Sequence, residues 1–298
     1  MMRKGMNITV LITPVHDCLN PITIDSGGMR IDPHCIRWIM NPYDGFALEE
    51  ALQLKNEIPE TKIQVLGIAP PRCESVFREC LAAGADEAIM IWDDAFEESD
   101  SYVCASILAA VLGMQSFDLL LSGWKSSDLE HGQMRPILAE LLGLPQISSA
   151  RKVICGQDES RILVFKRTPG YMARISCPLP AMVTMEKGKQ LRYPKFPDRR
   201  RAKKIPIPVW DIKKIGLKES NLGRSASLTV VGRFTPPKPT KRSLLATSSG
   251  NMSAAVRLKR IMSGGLQDQK ESKIWECKDR NSLEKVIDHI IKEKMVVL

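Results

Sequence analysis

The stretch from Asp118 to Gly143, Asp118-Leu-Leu-Leu-Ser-Gly123-Trp-Lys-Ser-Ser-Asp128-Leu-Glu-His-Gly-Gln133-Met-Arg-Pro-Ile-Leu138-Ala-Glu-Leu-Leu-Gly143, decides the fold. Asp118 to Ser122 is a short apolar run that reads as a buried strand ending at Gly123. Gln133 to Leu142 is amphipathic at helical spacing and is stopped by Gly143. Pro136 sits in the first turn of that helix, where its missing N–H would have no intrahelical partner. The polar loop between them ends on free N–H groups that, with the helix dipole, can hold an anion. Arg135 adds a fixed positive charge suited to a phosphate or pyrophosphate. On local chemistry alone, an ordinary strand–helix loop with surface charges fits the same residues.

The same alternation extends upstream. Asn7 to Ile12 reads as a strand, and Asp44 to Asn56 as a helix with Asp44 as its N-cap and Glu49 and Glu50 near the positive end. Ile63 to Ile68 is a second strand, followed by the turn Ala69-Pro70-Pro71 and a helix carrying Val76, Phe77, Cys80 and Leu81 that ends at Gly84. Glu87 to Ile91 is a strand and Tyr102 to Met114 a helix. Strands alternating with helices imply right-handed crossovers and a mainly parallel sheet. Ligands of such sheets bind at the carboxyl ends of the strands, near a topological switch point. The loops that matter are therefore those after Thr13, before Asp44, from Ile68 to Arg72 and from Gly123 to Arg135.

Downstream of Pro145 the pattern changes. Ile147 to Ile154, Arg161 to Arg167, Met172 to Ser176 and Ala181 to Met185 read as strands without helices between them, a meander appended to the sheet. From Lys187 the chain is basic and proline-containing, then irregular through Pro236-Pro237-Lys238-Pro239 and Ser248-Ser249-Gly250, the composition of an arm. Ser282 to Lys294 reads as a terminal helix whose stripe of Leu283, Val286, Ile287, Ile290 and Ile291 needs a surface to dock on. The expected organisation is an α/β domain with its meander over residues 1–186, a basic segment and irregular arm over 187–250, and a tail with a terminal helix over 251–298.

With 44% apolar and 26% charged residues, the chain has an ordinary globular composition. No apolar run approaches the ~20 residues needed to span a bilayer, and the short N-terminal apolar stretch reads as a strand, so no membrane insertion and a cytoplasmic location are expected. Eight scattered cysteines without a CxxC pair signal neither a disulfide framework nor an iron–sulfur cluster. Four isolated histidines signal no metal site. The net charge of +9 is concentrated in Arg192 to Lys204, with seven basic residues in thirteen. No nucleic-acid motif accompanies that run. A solvated segment facing an acidic partner surface is the expected reading, with no nucleic-acid partner.

The signature loop, continuing through Leu144-Pro145-Gln146, resembles that of electron-transfer flavoprotein β subunits, roughly G-K/R-Q-A-I-D-x-D-x-x-Q-x-G followed by L-A-E-x-L-G-x-P-Q. Further matches fall in order: Asn41-Pro42 with Glu49 to Lys55, Ala69-Pro70-Pro71, Ala82 to Asp86, Leu179 to Thr184, Arg192-Tyr193-Pro194 and Arg201 to Lys204. The resemblance covers residues 7–235. It implies an adenine-nucleotide-binding, Rossmann-like fold without a GxGxxG loop, paired with a larger α subunit that holds the electron-carrying FAD. This subunit would hold AMP or, in electron-bifurcating members that oxidise NADH, a second FAD. The implied cofactor-binding residues are Leu11, Asn41, Pro42, Ile68, Gly123, Asp128, Gln133 and Met134, together with Trp124, Lys125, Ser126, Ser127, Glu130, His131 and Arg135 of the same loop. The implied redox partners are acyl-CoA dehydrogenase-like proteins or other flavin or iron–sulfur oxidoreductases, with a membrane- or ferredoxin-linked acceptor.

The departures from the pattern are specific. Ile12-Thr13-Pro14-Val15-His16-Asp17 stands where the family reads V-K-x-V-P-D, so the usual lysine is absent. Glu130 replaces aspartate, His131 a small or polar residue, Met134 threonine and Arg135 glycine. Loss of the threonine hydroxyl leans toward a flavin, as do Trp210-Asp211 and the stretch Arg224 to Pro237, which look like the bifurcating branch. The family grips partner dehydrogenases through a protruding leucine; here Phe196 stands at that place between Pro194 and Pro197, with Arg199 and Arg200 beside it. A non-redox adenine-nucleotide-binding protein of similar fold is the alternative.

Overall fold

The computed structural model describes residues 5–20, 23–24, 31, 36–156, 160–232, 284 and 286–288. Residues 1–236 and 237–298 form two separate units. In the second, the described residues 284 and 286–288 are helical, and the remainder of the expected terminal helix lies outside the described residues.

The first unit contains strands β1 (Asn7–Leu11), β2 (Pro14–His16) and β3 (Trp38–Met40), helix α1 (Pro42–Glu57), β4 (Lys62–Ile68), α2 (Glu74–Ala83), β5 (Glu87–Ile91), α3 (Ser101–Leu112), β6 (Leu119–Gly123) and α4 (Met134–Leu141). There follow β7 (Gln146–Cys155), β8 (Arg161–Thr168), β9 (Tyr171–Pro178), β10 (Ala181–Met185), α5 (Phe196–Ala202), β11 (Val209–Trp210), α6 (Ile212–Ile215) and α7 (Gly223–Ala226). Nine strands form one sheet in the order β11-β5-β4-β1-β6-β10-β7-β8-β9. From β11 to β7 every pair is parallel; β7-β8-β9 is an antiparallel meander. The α/β class expected from the alternation of strands and helices is the observed one.

Alternating side chains of each parallel strand enter opposite layers, as the two-residue period of a strand requires. Ile8, Val10, Ile63, Val65, Leu119 and Leu121 pack with α1 and α2. Leu11, Leu66, Ile89, Leu120 and Met182 pack with α3 and α4. Fully buried Leu48 and Phe77 pin α1 and α2, each worth about 1.5–3 kcal/mol by burial. The chain runs β1-α1-β4-α2-β5 in one direction and then returns through α3 to place β6 on the other side of β1. That reversal makes the gap between β1 and β6 the switch point.

Three features differ from the sequence reading. α1 starts at Pro42 with Asn41 as N-cap, so Asp44 lies inside the helix and does not cap it. Ala181–Met185 leaves the meander and returns between β6 and β7, parallel to both, because its five buried residues require cover on both faces. Part of the stretch expected to be an arm is built into the sheet: Val209 and Trp210 pair with Met90 and Ile91 on its far edge.

Candidate functional site

The carboxyl ends of β1, β4 and β6 bring most of the expected residues together. Leu11, Ile68 and Gly123 are the last residues of those strands, Asn41 and Pro42 open α1, and Gln133, Met134 and Arg135 open α4. At their centre is a residue that sequence reading assigned only a capping role. Asp44 is fully buried, and its carboxylate accepts the Thr13 N–H at 2.7 Å and the Gly123 N–H at 2.7 Å. Arg135 Nη2 lies 3.5 Å from Asp44 Oδ1 and donates to Thr13 Oγ1 at 2.9 Å. One side chain thus ties the loops after β1 and β6 to the starts of α1 and α4. The signal that could have found it is Asn41-Pro42: an N-cap followed by proline at the first helical position moves the helix start two residues earlier.

Burial pushes the Asp44 carboxyl above its usual range, while Arg135, the amides of Thr13 and Gly123 and the Asn41 side chain act in the opposite direction. Gly123 is needed for this approach, since a Cβ there would lie 2.5 Å from Tyr43 Cβ and 2.6 Å from Asp44 Oδ1. Asn41 is fully buried and donates its side-chain amide to the Lys125 carbonyl at 2.9 Å, which holds the signature loop against α1.

Inside that loop, the Ser126 N–H donates to the His131 carbonyl at 2.9 Å and the His131 N–H to Ser126 Oγ at 3.2 Å. Glu130 adopts a left-handed conformation, φ 57°. His131 therefore serves the loop through its backbone, and the residue is exposed. Lys125 pairs with Glu130 and stands over the rings of Trp124 and Tyr43 at 4.7 and 5.8 Å. Glu130 and Gln133 are exposed; Ser127, Asp128 and Met134 are half-buried.

Next to the loop, β2 and β3 form a two-stranded antiparallel ribbon. His16 on this ribbon packs against Trp38 with ring centroids 4.6 Å apart, and the Arg72 guanidinium lies over the Trp38 ring, 5.6 Å from its centroid. Burial lowers the His16 pKa; Asp128 of the signature loop opposes that shift and Arg72 reinforces it. Sequence reading noted His16 only as a departure and missed the ribbon.

The arrangement is built but unfinished. Four buried side-chain polar atoms among the described residues have no hydrogen-bond partner, and three belong here: Asn41 Oδ1, Trp124 Nε1 and Arg135 Nε. A buried unpaired polar atom costs about 1–3 kcal/mol, so such a group asks for a ligand or water to complete it.

Phe196, Arg199 and Arg200 lie apart from this crevice, on α5, which packs on α2. Arg78 Nη1 donates to the Ala202 carbonyl at 2.7 Å and Arg201 Nη2 to the Leu81 carbonyl at 3.1 Å. Arg192, expected to be solvated with the rest of the basic run, instead clasps Glu49 of α1 through three hydrogen bonds of 2.9–3.1 Å. Phe196 remains 73% exposed and Tyr193 83%, with Arg199 stacked over the Tyr193 ring at 4.7 Å.

These features define an open, mainly parallel α/β protein with a buried, incompletely satisfied polar cluster at its switch point. The chain belongs to the electron-transfer flavoprotein family, on the β-subunit side. The model of the electron transfer flavoprotein domain matches residues 28–215. The electron transfer flavoprotein subunit beta of Bacillus subtilis is 34% identical over 243 residues, covering 80% of this chain and 91% of that one. Protein FixA of Azotobacter vinelandii is 33% identical over 239 residues, 75% of this chain and 85% of its own length. Subunit CarD of the caffeyl-CoA reductase-Etf complex of Acetobacterium woodii is 33% identical over 223 residues, 72% and 84% of the two chains. No helix among the described residues is long and apolar enough to cross a membrane.

Proposed function

We propose that this chain pairs with an electron-transfer flavoprotein α subunit and carries an adenine nucleotide, AMP or a second FAD, in the crevice between β1 and β6. The observation that carries this reading is the cluster around Asp44: two loops and two helix starts tied together by one carboxylate, with a buried donor on Arg135 and a buried acceptor on Asn41 without partners among the described residues. Leu11, buried against α3 and α4, and half-buried Ile68 end the strands beside the crevice, and the backbone from Gly123 to Gln133 borders it. Flavin, when bound, supplies the electron transfer; the chain's part is to bind, orient and exclude water.

In this reading the heterodimer passes electrons from a dehydrogenase of acyl-CoA dehydrogenase type, or another flavin or iron–sulfur oxidoreductase, to a membrane- or ferredoxin-linked acceptor. Phe196, an exposed aromatic flanked by Arg199 and Arg200, is the contact such a partner would meet. The test is the nucleotide content of the complex purified with its α subunit. About one flavin per dimer with AMP released on denaturation assigns AMP to this chain. About two flavins, with NADH oxidation, assigns the second FAD. A complex that releases no adenine nucleotide beyond the α subunit's FAD would overturn the reading.

A further inference from the structure

The segment that carries Phe196 has little apolar footing. Of the seven residues of α5 only Ala202 is buried, and a single methyl group adds little hydrophobic stabilisation. Ile205 and Ile207, just after the helix, are half-buried against the core. The stronger ties are polar, and they fall at the two ends of the segment. Upstream, Arg192 clasps Glu49 of α1.

Downstream, α2 and α5 exchange arginines. Arg78 of α2 donates through Nη1 to the Ala202 carbonyl at 2.7 Å and also to the Ile205 carbonyl. Arg201 of α5 donates to the carbonyl of Leu81, in the last turn of α2, at 3.1 Å. The last carbonyls of a helix lack intrahelical partners and carry the negative end of its dipole, so a guanidinium suits both helix ends. Glu74, one turn before Arg78, orients the fork: its Oε1 accepts from Nε at 2.9 Å and lies 2.8 Å from Nη2. Nε and Nη2 thus face Glu74, and Nη1 is left for α5. Between the two fixed ends Tyr193 and Phe196 stand exposed. An exposed anchor binds best when it is already held in its bound position, because less freedom is lost on contact.

We propose that Arg78 is the positioning residue of the docking segment: it ties the C-terminal end of α5 to α2, while Arg192 ties the approach to α1, and the two present Phe196 preordered to the electron-transfer partner. Arg78 acts through the segment and not by touching the partner. This rests on the reading above, in which Phe196 meets the partner, and adds that affinity for that partner is set in part by a side chain of α2.

The test uses the heterodimer with its α subunit and flavin, and a short-chain acyl-CoA dehydrogenase reduced by butyryl-CoA as electron donor. The initial rate of flavin reduction is followed as the heterodimer concentration is varied. Phe196→Ala raises KM for the heterodimer by about thirtyfold, the loss expected of a central aromatic anchor. Arg78→Gln raises KM by about five- to tenfold, the worth of charge-assisted hydrogen bonds partly screened by water, and leaves kcat unchanged. Arg78→Lys keeps the charge without the planar fork, guards against misfolding and gives a smaller rise. Arg78→Gln combined with Phe196→Ala is no worse than Phe196→Ala alone, because without the ring nothing is left to position. Flavin content and the flavin spectrum stay as in the unaltered protein throughout. A raised KM in Phe196→Ala with an unchanged KM in Arg78→Gln overturns the proposal and leaves the docking reading standing, and so does a fully additive loss in the double variant. An unchanged KM in Phe196→Ala, or no flavin reduction in the unaltered heterodimer, overturns both.

Discussion

Among the described residues helix α1 makes two acid–arginine pairs, and they differ in every respect that matters. Asp44 near its start meets Arg135 with both side chains almost fully enclosed, at 3.5 Å and without bidentate geometry. Glu49, less than two turns along, meets Arg192 with two side-chain nitrogens and a backbone N–H, all within 3.1 Å, and Arg192 remains partly open to water. The Glu49 pair is complete in itself and works as a strut holding the basic segment to α1. The Asp44 pair leaves buried donors and sits among other orphaned atoms at the switch point. Burying charge is expensive unless every group is satisfied, so the incomplete pair is the one to associate with a ligand and the complete one with architecture.

Breaking the first pair has the largest expected effect. Asp44→Ala leaves Arg135 as an unpaired buried cation and strips acceptors from the amides of Thr13 and Gly123. A loss of about 3–5 kcal/mol is expected, measured by urea unfolding. The sharper form is the double replacement Asp44→Leu with Arg135→Met. Buried pairs exchanged for apolar residues of similar size often recover stability. Most of the loss should therefore return while nucleotide retention does not. Recovery of both would make Asp44 and Arg135 as purely architectural as Glu49 and Arg192.

Much of this difference was hidden from the sequence. Strands such as Glu87–Ile91 and helices such as α2 were legible because continuous apolar runs and helical periodicity fix them locally. β2, β3 and β11 were not, since strands of two or three residues exist only through pairing with distant partners. The loops that form the crevice were legible by topology, which places them at the strand ends, and by resemblance, which supplied Asn41 and the signature loop. Asp44 was seen but given the wrong task. An acidic residue near a helix start serves the dipole equally well as a cap or as a buried anchor, and only the third dimension shows that its carboxylate turns toward two neighbouring loops. Arg192 was read as solvated for a similar reason: Glu49 lies 143 residues away in sequence.

The second pair predicts a smaller and cleaner effect. Glu49→Gln retains the shape of the side chain and one acceptor for the Arg192 backbone, but loses the charge. Because Arg192 is partly exposed, solvent screening limits the cost to about 1–2 kcal/mol. Nucleotide content should be unchanged, and tryptic cleavage after Arg192 should accelerate as the segment loosens. Loss of bound nucleotide in this variant would break the distinction between strut and site.

A third carboxylate, Asp100, extends the comparison to a group held by hydrogen bonds and, among the described residues, by no salt bridge. It caps α3 through the N–H groups of Tyr102 and Val103, and it hooks the downstream chain through the N–H groups of Leu228 and Thr229 and the Thr229 hydroxyl. Burial opposes its ionisation, but the hydrogen bonds from Val103, Thr229 and Leu228 prevail and lower its pKa below the ordinary 3.8. The folded state therefore binds fewer protons than the unfolded one, so the contribution of Asp100 is complete above 3.8 and fades as the pH falls through the lower folded value. The effect is local, since Leu228 is exposed and contributes little to the core. Amide hydrogen exchange, corrected for intrinsic rates, should show Leu228 and Thr229 protected at neutral pH and progressively unprotected below 3.8, with amides in β1 unaffected. Asp100→Asn, which cannot ionise, should remove that pH dependence and lower the protection at neutral pH. If the two amides stay equally protected through the acid range in the unaltered protein, the carboxylate is not what holds this segment in place.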